Sequence, residues 1–268
     1  MLSQHPFYQK LYAQSQQKKS VLCVGLDPDL SQLPQGFDRT IQGIEAFLAT
    51  VIDCTQGACI AYKPNISFFE GLGLEGLHLL KRIRHRIPQE IPVILDAKRG
   101  DIGNTSRMQA RFIFEEFEAD ATTLHPYMGH DSLVPFFEYR DKYHFVLVLT
   151  SNSGASDLEK QPLASGKRLF EHTAELARNW HRTYQNIGFV VGATQTELET
   201  LRHQDSETLF LVPGVGEQGG DWNSAVANSQ NQDGLTLINV GRGILYQHSI
   251  PWKQPEIHTW LSNKFSIA

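Results

Sequence analysis

The sequence predicts an α/β fold, a single (β/α)8 TIM barrel over residues 1–268, from three observations. Short β-rich runs alternate with helix-period segments from end to end. Several of these runs are nearly continuous in Val, Ile and Leu, as strands buried on both faces of a parallel sheet are. Eight such strands with their intervening helices fit 268 residues closely. The competing doubly wound sheet would be crowded by eight parallel strands, and its first turn usually carries a Gly-rich fingerprint. Here the first turn reads GLDPD.

Taken in order, residues 1–20 read as a helical N-terminal extension. The expected strands are Val21–Leu26, Cys59–Tyr62, Val93–Ala97, Ala121–Leu124, Phe145–Leu149, Gly188–Val191, Leu209–Val212 and Leu235–Val240. Between them, Ile41, Ile44, Phe47, Leu48, Val51 and Ile52 recur at helical spacing, as do Leu77, Leu80, Ile83 and Ile87. Leu169, Phe170, Thr173, Leu176, Ala177 and Trp180 form a third stripe. Such stripes are core-facing helix surfaces. Thr194 with Glu197 reads as a capping box opening the helix after the sixth strand. The stretch from Asp221 to Asp233, rich in Asn, Gln, Ser and Gly, reads as a mobile loop and a weak helix. No linker, repeat or low-complexity tract divides the chain.

Bulk properties narrow the function. A net charge of -5 and a pI near 6.1 leave no electrostatic footprint for nucleic acid or an anionic membrane. Any phosphate must be held by local geometry. Cys23, Cys54 and Cys59 form no CxxC pair, and a sparse, odd set argues for a reducing cytoplasm and three small buried side chains. The first twenty residues lack an apolar signal segment, and no apolar run is long enough to span a bilayer. A cytoplasmic enzyme is the expectation.

In barrels of this kind the site forms at the C-terminal ends of the strands. Strand one ends in Gly25-Leu26-Asp27-Pro28-Asp29, strand two in Tyr62-Lys63-Pro64-Asn65, and strand three in Leu95-Asp96-Ala97-Lys98-Arg99-Gly100-Asp101. On a strand, residues i and i+2 share a face, so Asp96 and Lys98 should enter the mouth together. Asp101 follows Gly100, where the chain can turn sharply, and Lys63 arrives from the neighbouring strand. An ammonium flanked by carboxylates stays protonated, which makes it a poor base and a well-placed acid. Two unit charges about 4 Å apart interact by roughly 4 kcal/mol at an effective dielectric near 20. A substrate carboxylate forced against Asp96 would be repelled by that order and relieved by leaving as CO2. Lys98 could then stabilise and protonate the carbanion, with no metal or organic cofactor required.

The other half of the mouth suits an anion. Strand seven ends in Pro213-Gly214-Val215-Gly216-Glu217-Gln218-Gly219-Gly220 and strand eight in Val240-Gly241-Arg242-Gly243. Loops after strands seven and eight commonly hold phosphate in this fold, and Arg242 supplies a fixed fork of donors.

The run Asp96-Ala97-Lys98-Arg99-Gly100-Asp101-Ile102-Gly103-Asn104-Thr105 resembles the DxKxxDI signature of orotidine 5′-phosphate decarboxylases, in the form of the branch called type 2. Supporting segments are Gly25–Asp29, Tyr62–Asn65, His125–Gly129, Thr150–Asn152, Pro213–Gly220 and Gly241–Arg242. The resemblance implies decarboxylation of orotidine 5′-monophosphate to UMP, without metal or cofactor. It implies that Lys98 protonates C6, that Asp96 crowds the departing carboxylate, that Lys63 holds Asp96 and the ribose, and that Asp27 binds a ribose hydroxyl. Asp101, Ile102 and Thr105 would reach into a partner's site in a homodimer. Gln218, Arg242 and the amides around Gly241 would bind phosphate beside Pro213, and Ser151 would contact the base. His125 and Glu217 depart from the commoner residues of this branch. His125 reads as a packing residue at the barrel top, and Glu217 bears on closure of the Gln218 loop. The rival is a metal-dependent sugar-phosphate decarboxylase or aldolase on the same barrel, which Lys63 opposes by placing a cation where a metal would sit. A non-catalytic phosphate-binding barrel is a further alternative.

Overall fold

The computed structural model describes residues 3–192, 195–215, 221–247, 252 and 256–265. Its strands are β1 (Leu22–Leu26), β2 (Ala61–Pro64), β3 (Ile94–Arg99), β4 (Ala121–Leu124), β5 (Tyr143–Leu149), β6 (Ile187–Val191), β7 (Phe210–Pro213) and β8 (Leu237–Val240). All pair in parallel in the order β2-β1-β8-β7-β6-β5-β4-β3. Two isolated parallel bridges, Tyr62 to Val93 and Asn65 to Asp96, close β2 on β3. The result is the expected eight-stranded barrel, with strand positions that agree with the sequence reading to within about two residues.

Alternation along the strands builds two cores. Side chains facing inward, among them Cys23, Ala61, Ile94, Ala121, Phe145, Leu211 and Leu237, fill the barrel. Side chains facing outward pack against helices such as Ile41–Thr55, Gly73–Arg86 and Leu169–Tyr184. In the last of these, Phe170, Ala174 and Ala177 form the buried line, whereas Leu176 is among the exposed large apolar residues. The stripe read from the sequence was therefore rotated too far toward Leu176. The N-terminal segment forms the helix Pro6–Lys18, and its Phe7, Tyr8 and Leu11 join the interior core. Phe7 stacks on Tyr143 at 5.1 Å, so this helix plugs the barrel end opposite the strand C-termini.

The helix Trp222–Ser229 forms where a weak one was expected, capped by Asp221, whose carboxylate accepts the Ser224 amide. Thr194 lies outside the described residues, while Glu197 accepts from Lys160 at 2.7 Å. All three cysteines are free and buried. No helix among the described residues is long and apolar enough to cross a membrane.

One interior polar group is costly. His144 on β5 is fully buried between Phe114 and Phe137, with both ring nitrogens unpaired. Burial pushes its pKa down to about 3, and the charge of His5 acts in the same direction. The unfolded chain, with an ordinary value of 6.5, then binds more protons than the folded one as the pH falls. Stability present above pH 6.5 should therefore decline as the pH falls below that value. Urea melts at several pH values should show this slope in the wild type and a shallower one in His144→Leu; equal slopes would sink the assignment.

Candidate active site

The charged residues converge through a defect in β3. Leu95 pairs with Thr122 and Arg99 with Leu124, so the register slips between them in a bulge. Lys98 sits inside that bulge at φ 45°, a left-handed conformation that costs a non-glycine residue about 1 kcal/mol or more unless its surroundings enforce it. The enforcing group is the Thr123 hydroxyl. It accepts the amides of Ala97 at 3.1 Å and Lys98 at 3.0 Å and donates to Asp96 Oδ1 at 2.8 Å. One side chain on β4 thus stands in for the missing strand partners and fixes the carboxylate as well. Asp96 and Lys98 do share the mouth, by this bulge rather than by plain alternation.

Asp96 is held from both sides. Lys63 Nζ lies 2.6 Å from Oδ2, and Lys98 Nζ lies 2.6 Å from Oδ1. Burial alone would raise the Asp96 pKa, but Lys63 and Lys98 outweigh it and hold this carboxyl well below the usual range. Lys63 is affected in the mirror sense. Its burial favours the neutral amine, yet Asp96 and Asp27 together keep its pKa above the ordinary lysine value. Asp27, which accepts the Asn65 amide at 3.2 Å, is pushed upward by burial, with Lys63 opposing. Lys63 is almost wholly buried, whereas the Lys98 side chain is 47% exposed. The array therefore has a fixed cation and one that can reach outward. Asp29 acts locally, its carboxylate capping the turn Leu30–Gln32 through Ser31 and Gln32.

The half of the mouth after β7 and β8 is built on close backbone approach. A Cβ on Gly25 would lie 2.9 Å from the Gly241 Cα, so β1 and the end of β8 touch only because residue 25 is glycine. Asp27, Gly214, Val215, Asn239, Gly241, Arg242 and Gly243 line a cleft of about 120 Å³ there. Pro213 ends β7 beside Asn239. Tyr246, from the segment after Arg242, donates to the Asp27 carbonyl at 3.1 Å and accepts the Asp29 amide at 2.6 Å, strapping the two loops together. Glu217 and Gln218 lie outside the described residues.

The remaining predicted residues are at the rim. Ile102 is 60% exposed, Thr105 is exposed, and the Asp101 carboxylate accepts the Ile102 amide at 2.7 Å, so none of the three joins the Asp96 array within this chain. Ser151 follows β5 and is half-buried. Gly100 is not in the left-handed region; it is needed because a Cβ would lie 2.7 Å from the His125 carbonyl and 3.3 Å from that ring. This accounts for His125 as a packing partner, and the chain turns from β3 to the helix Gly103–Arg111 here without a left-handed Gly100. Sequence reasoning missed Thr123, Asn239 and Tyr246. Thr123 follows Thr122 on a strand whose interior positions were expected to be apolar, a polar exception that could have flagged it.

Fold and site together define a (β/α)8-barrel enzyme whose charged groups and polar cleft share the C-terminal mouth. The chain belongs to the orotidine 5′-phosphate decarboxylase / HUMPS family, whose model matches residues 20–250. It is 46% identical over 242 residues to the orotidine 5′-phosphate decarboxylase of Herpetosiphon aurantiacus, covering 90% of this chain and 89% of that protein. Among solved structures, the OMP decarboxylase of Leishmania donovani matches at a TM-score of 0.83 and 35% identity, covering 97% of this chain and 95% of that one. The UMP synthase of the same organism matches at a TM-score of 0.85 and 37% identity, covering 96% of this chain but 54% of that longer one.

Thr123→Val preserves shape while leaving two amides and a carboxylate oxygen short of a partner. It should cost roughly 1–3 kcal/mol in chemical denaturation and lower kcat, whereas Thr123→Ser should retain most of both. Indistinguishable Val and Ser variants would refute the role given to this hydroxyl.

Proposed function

We propose that this chain decarboxylates orotidine 5′-monophosphate to UMP and CO2, the UMP-forming step of pyrimidine synthesis. The observation that carries the reading is the Asp96 carboxylate gripped between a buried Lys63 and a half-exposed Lys98 at the mouth of the barrel. Asp96 stays ionised when buried, so a substrate carboxylate seated beside it is repelled. The bond from C6 to the carboxyl carbon breaks, CO2 departs, and the electron pair remains on C6. Lys98 releases Asp96, stabilises that pair by its charge and donates a proton to C6. Its amine then regains a proton from water, which its exposure permits. Lys63 keeps Asp96 in place and faces the ribose with Asp27. Arg242, the Gly241 amide and Gln218 take the phosphate beside Pro213, and Ser151 contacts the base.

Both Asp96 oxygens are already engaged by ammonium groups, one of them the buried Lys63, which places a cation where the sugar-phosphate rival would need a metal. The test is loss of ultraviolet absorbance from orotidine 5′-monophosphate with EDTA present, where full activity is expected. Lys98→Ala should lower kcat by at least about 10³-fold with the fold intact. Arg242→Ala should raise KM by roughly 10- to 100-fold. Activity abolished by EDTA, or a tenth of the wild-type rate in Lys98→Ala, would overturn the reading.

The whole chain acts as one catalytic unit in the cytoplasm and works as a homodimer, with Asp101, Ile102 and Thr105 completing the partner's site. Exposed Ile102, Met108, Tyr127 and Met128 support such a face on the β3–β4 side of the mouth. Ile102→Asp should yield monomers in light scattering and a large loss of activity; an active monomer would remove the shared site.

A further inference from the structure

We propose that Asn239 is a substrate-binding residue that reads the ribose of the ligand, an assignment that rests on the functional reading above. Along β8 the side chains alternate. Leu237 belongs to the barrel interior, Ile238 and Val240 face the helices, and Asn239 returns to the interior at the level of the mouth. Its Cα neighbours are Cys23 on β1 and Pro213 on β7. There it is only 8% exposed, and its Oδ1 is buried with no hydrogen-bond partner. No hydrogen bond to any part of this carboxamide is formed among the described residues. A buried amide that holds nothing weakens a fold compared with an apolar side chain of the same size. No protein group among the described residues accounts for this carboxamide, and the cleft it lines offers a reason for its presence.

That cleft is shared with Asp27, Gly241 and Arg242. Asn239 lies on β8 two residues before Gly241, which follows the strand's end, and so sits roughly 7 Å deeper in the mouth. A phosphate held at Gly241 and Arg242 places the next part of the ligand, its pentose, between Asp27 and Asn239. The two side chains are complementary. The Asp27 carboxyl offers two oxygens, whereas a carboxamide carries both a donor and an acceptor. Together they suit a ring that presents hydroxyl and ether oxygens at once. The phosphate oxygens themselves belong to the level above.

The near-isosteric Asn239→Leu separates ligand recognition from structure. In the ligand-free protein its melting temperature should equal or exceed that of the wild type, since an unpaired amide is removed. Its affinity for UMP and for ribose 5-phosphate, measured by calorimetry, should fall about tenfold, the loss of one hydrogen bond. Its affinity for inorganic phosphate should stay unchanged. Undiminished binding of UMP by this variant overturns the proposal, and an equal loss for inorganic phosphate overturns the ribose assignment. If the leucine fails to fold, Asn239→Ser serves, and wild-type affinity for UMP in that variant overturns the proposal too. A wild-type protein that binds no UMP would count against the functional reading itself, not against Asn239 in particular.

Discussion

Two ammonium groups share one buried carboxylate, and the mouth of this barrel is arranged around that contest. A carboxylate as enclosed as Asp96 is tolerated only when its charge is met, because an unpaired buried charge costs several kcal/mol. Lys63 and Lys98 meet it from opposite oxygens, and Thr123 adds a third contact. The balance of the network makes its members interdependent: removing Lys63 would leave Asp96 and Asp27 facing each other across a low-dielectric site. Of the two cations, Lys63 is almost wholly buried and Lys98 is 47% exposed, so Lys98 is the one that meets water.

The two halves of the mouth are mechanically joined. β1 supplies Gly25 and leads into Asp27, β8 supplies Asn239 and leads into Gly241 and Arg242, and the backbones meet where Gly25 allows it. Tyr246 adds a second link by holding both the Asp27 carbonyl and the Asp29 amide. A ligand bound through its phosphate is thereby registered against the ion array at the distance these strands dictate. Such fixed registration turns remote binding into orientation of the reacting atoms.

Much of this was legible from residue order. Strands buried on both faces announce themselves as apolar runs, and the motif around Lys98 places charges of alternating sign within six residues. What stayed hidden depends on contacts distant in sequence. Thr123 acts on residues some 25 positions earlier, and no local pattern reveals that a bulge there needs a hydroxyl. Gly100 looked like a turn glycine, but its constraint comes from the His125 carbonyl on the next strand. Asn239 reads as one polar residue in a strand until its lack of partners is seen. Leu176 fitted the helical period yet falls at the edge of the buried face, since three small or aromatic residues set the line of contact.

The closure of the barrel carries one more implication. β2 and β3 meet through only two isolated bridges, one of them between Asn65 and Asp96, whereas every other neighbouring pair forms a ladder, two of them interrupted by a bulge. Lys63 and Asp96 lie on opposite sides of this seam, and their ion pair spans it like a clasp. The same contact that sets the charge of the mouth thus bridges the seam of the cylinder. Architecture and chemistry cannot drift apart here, because loosening one would open the other.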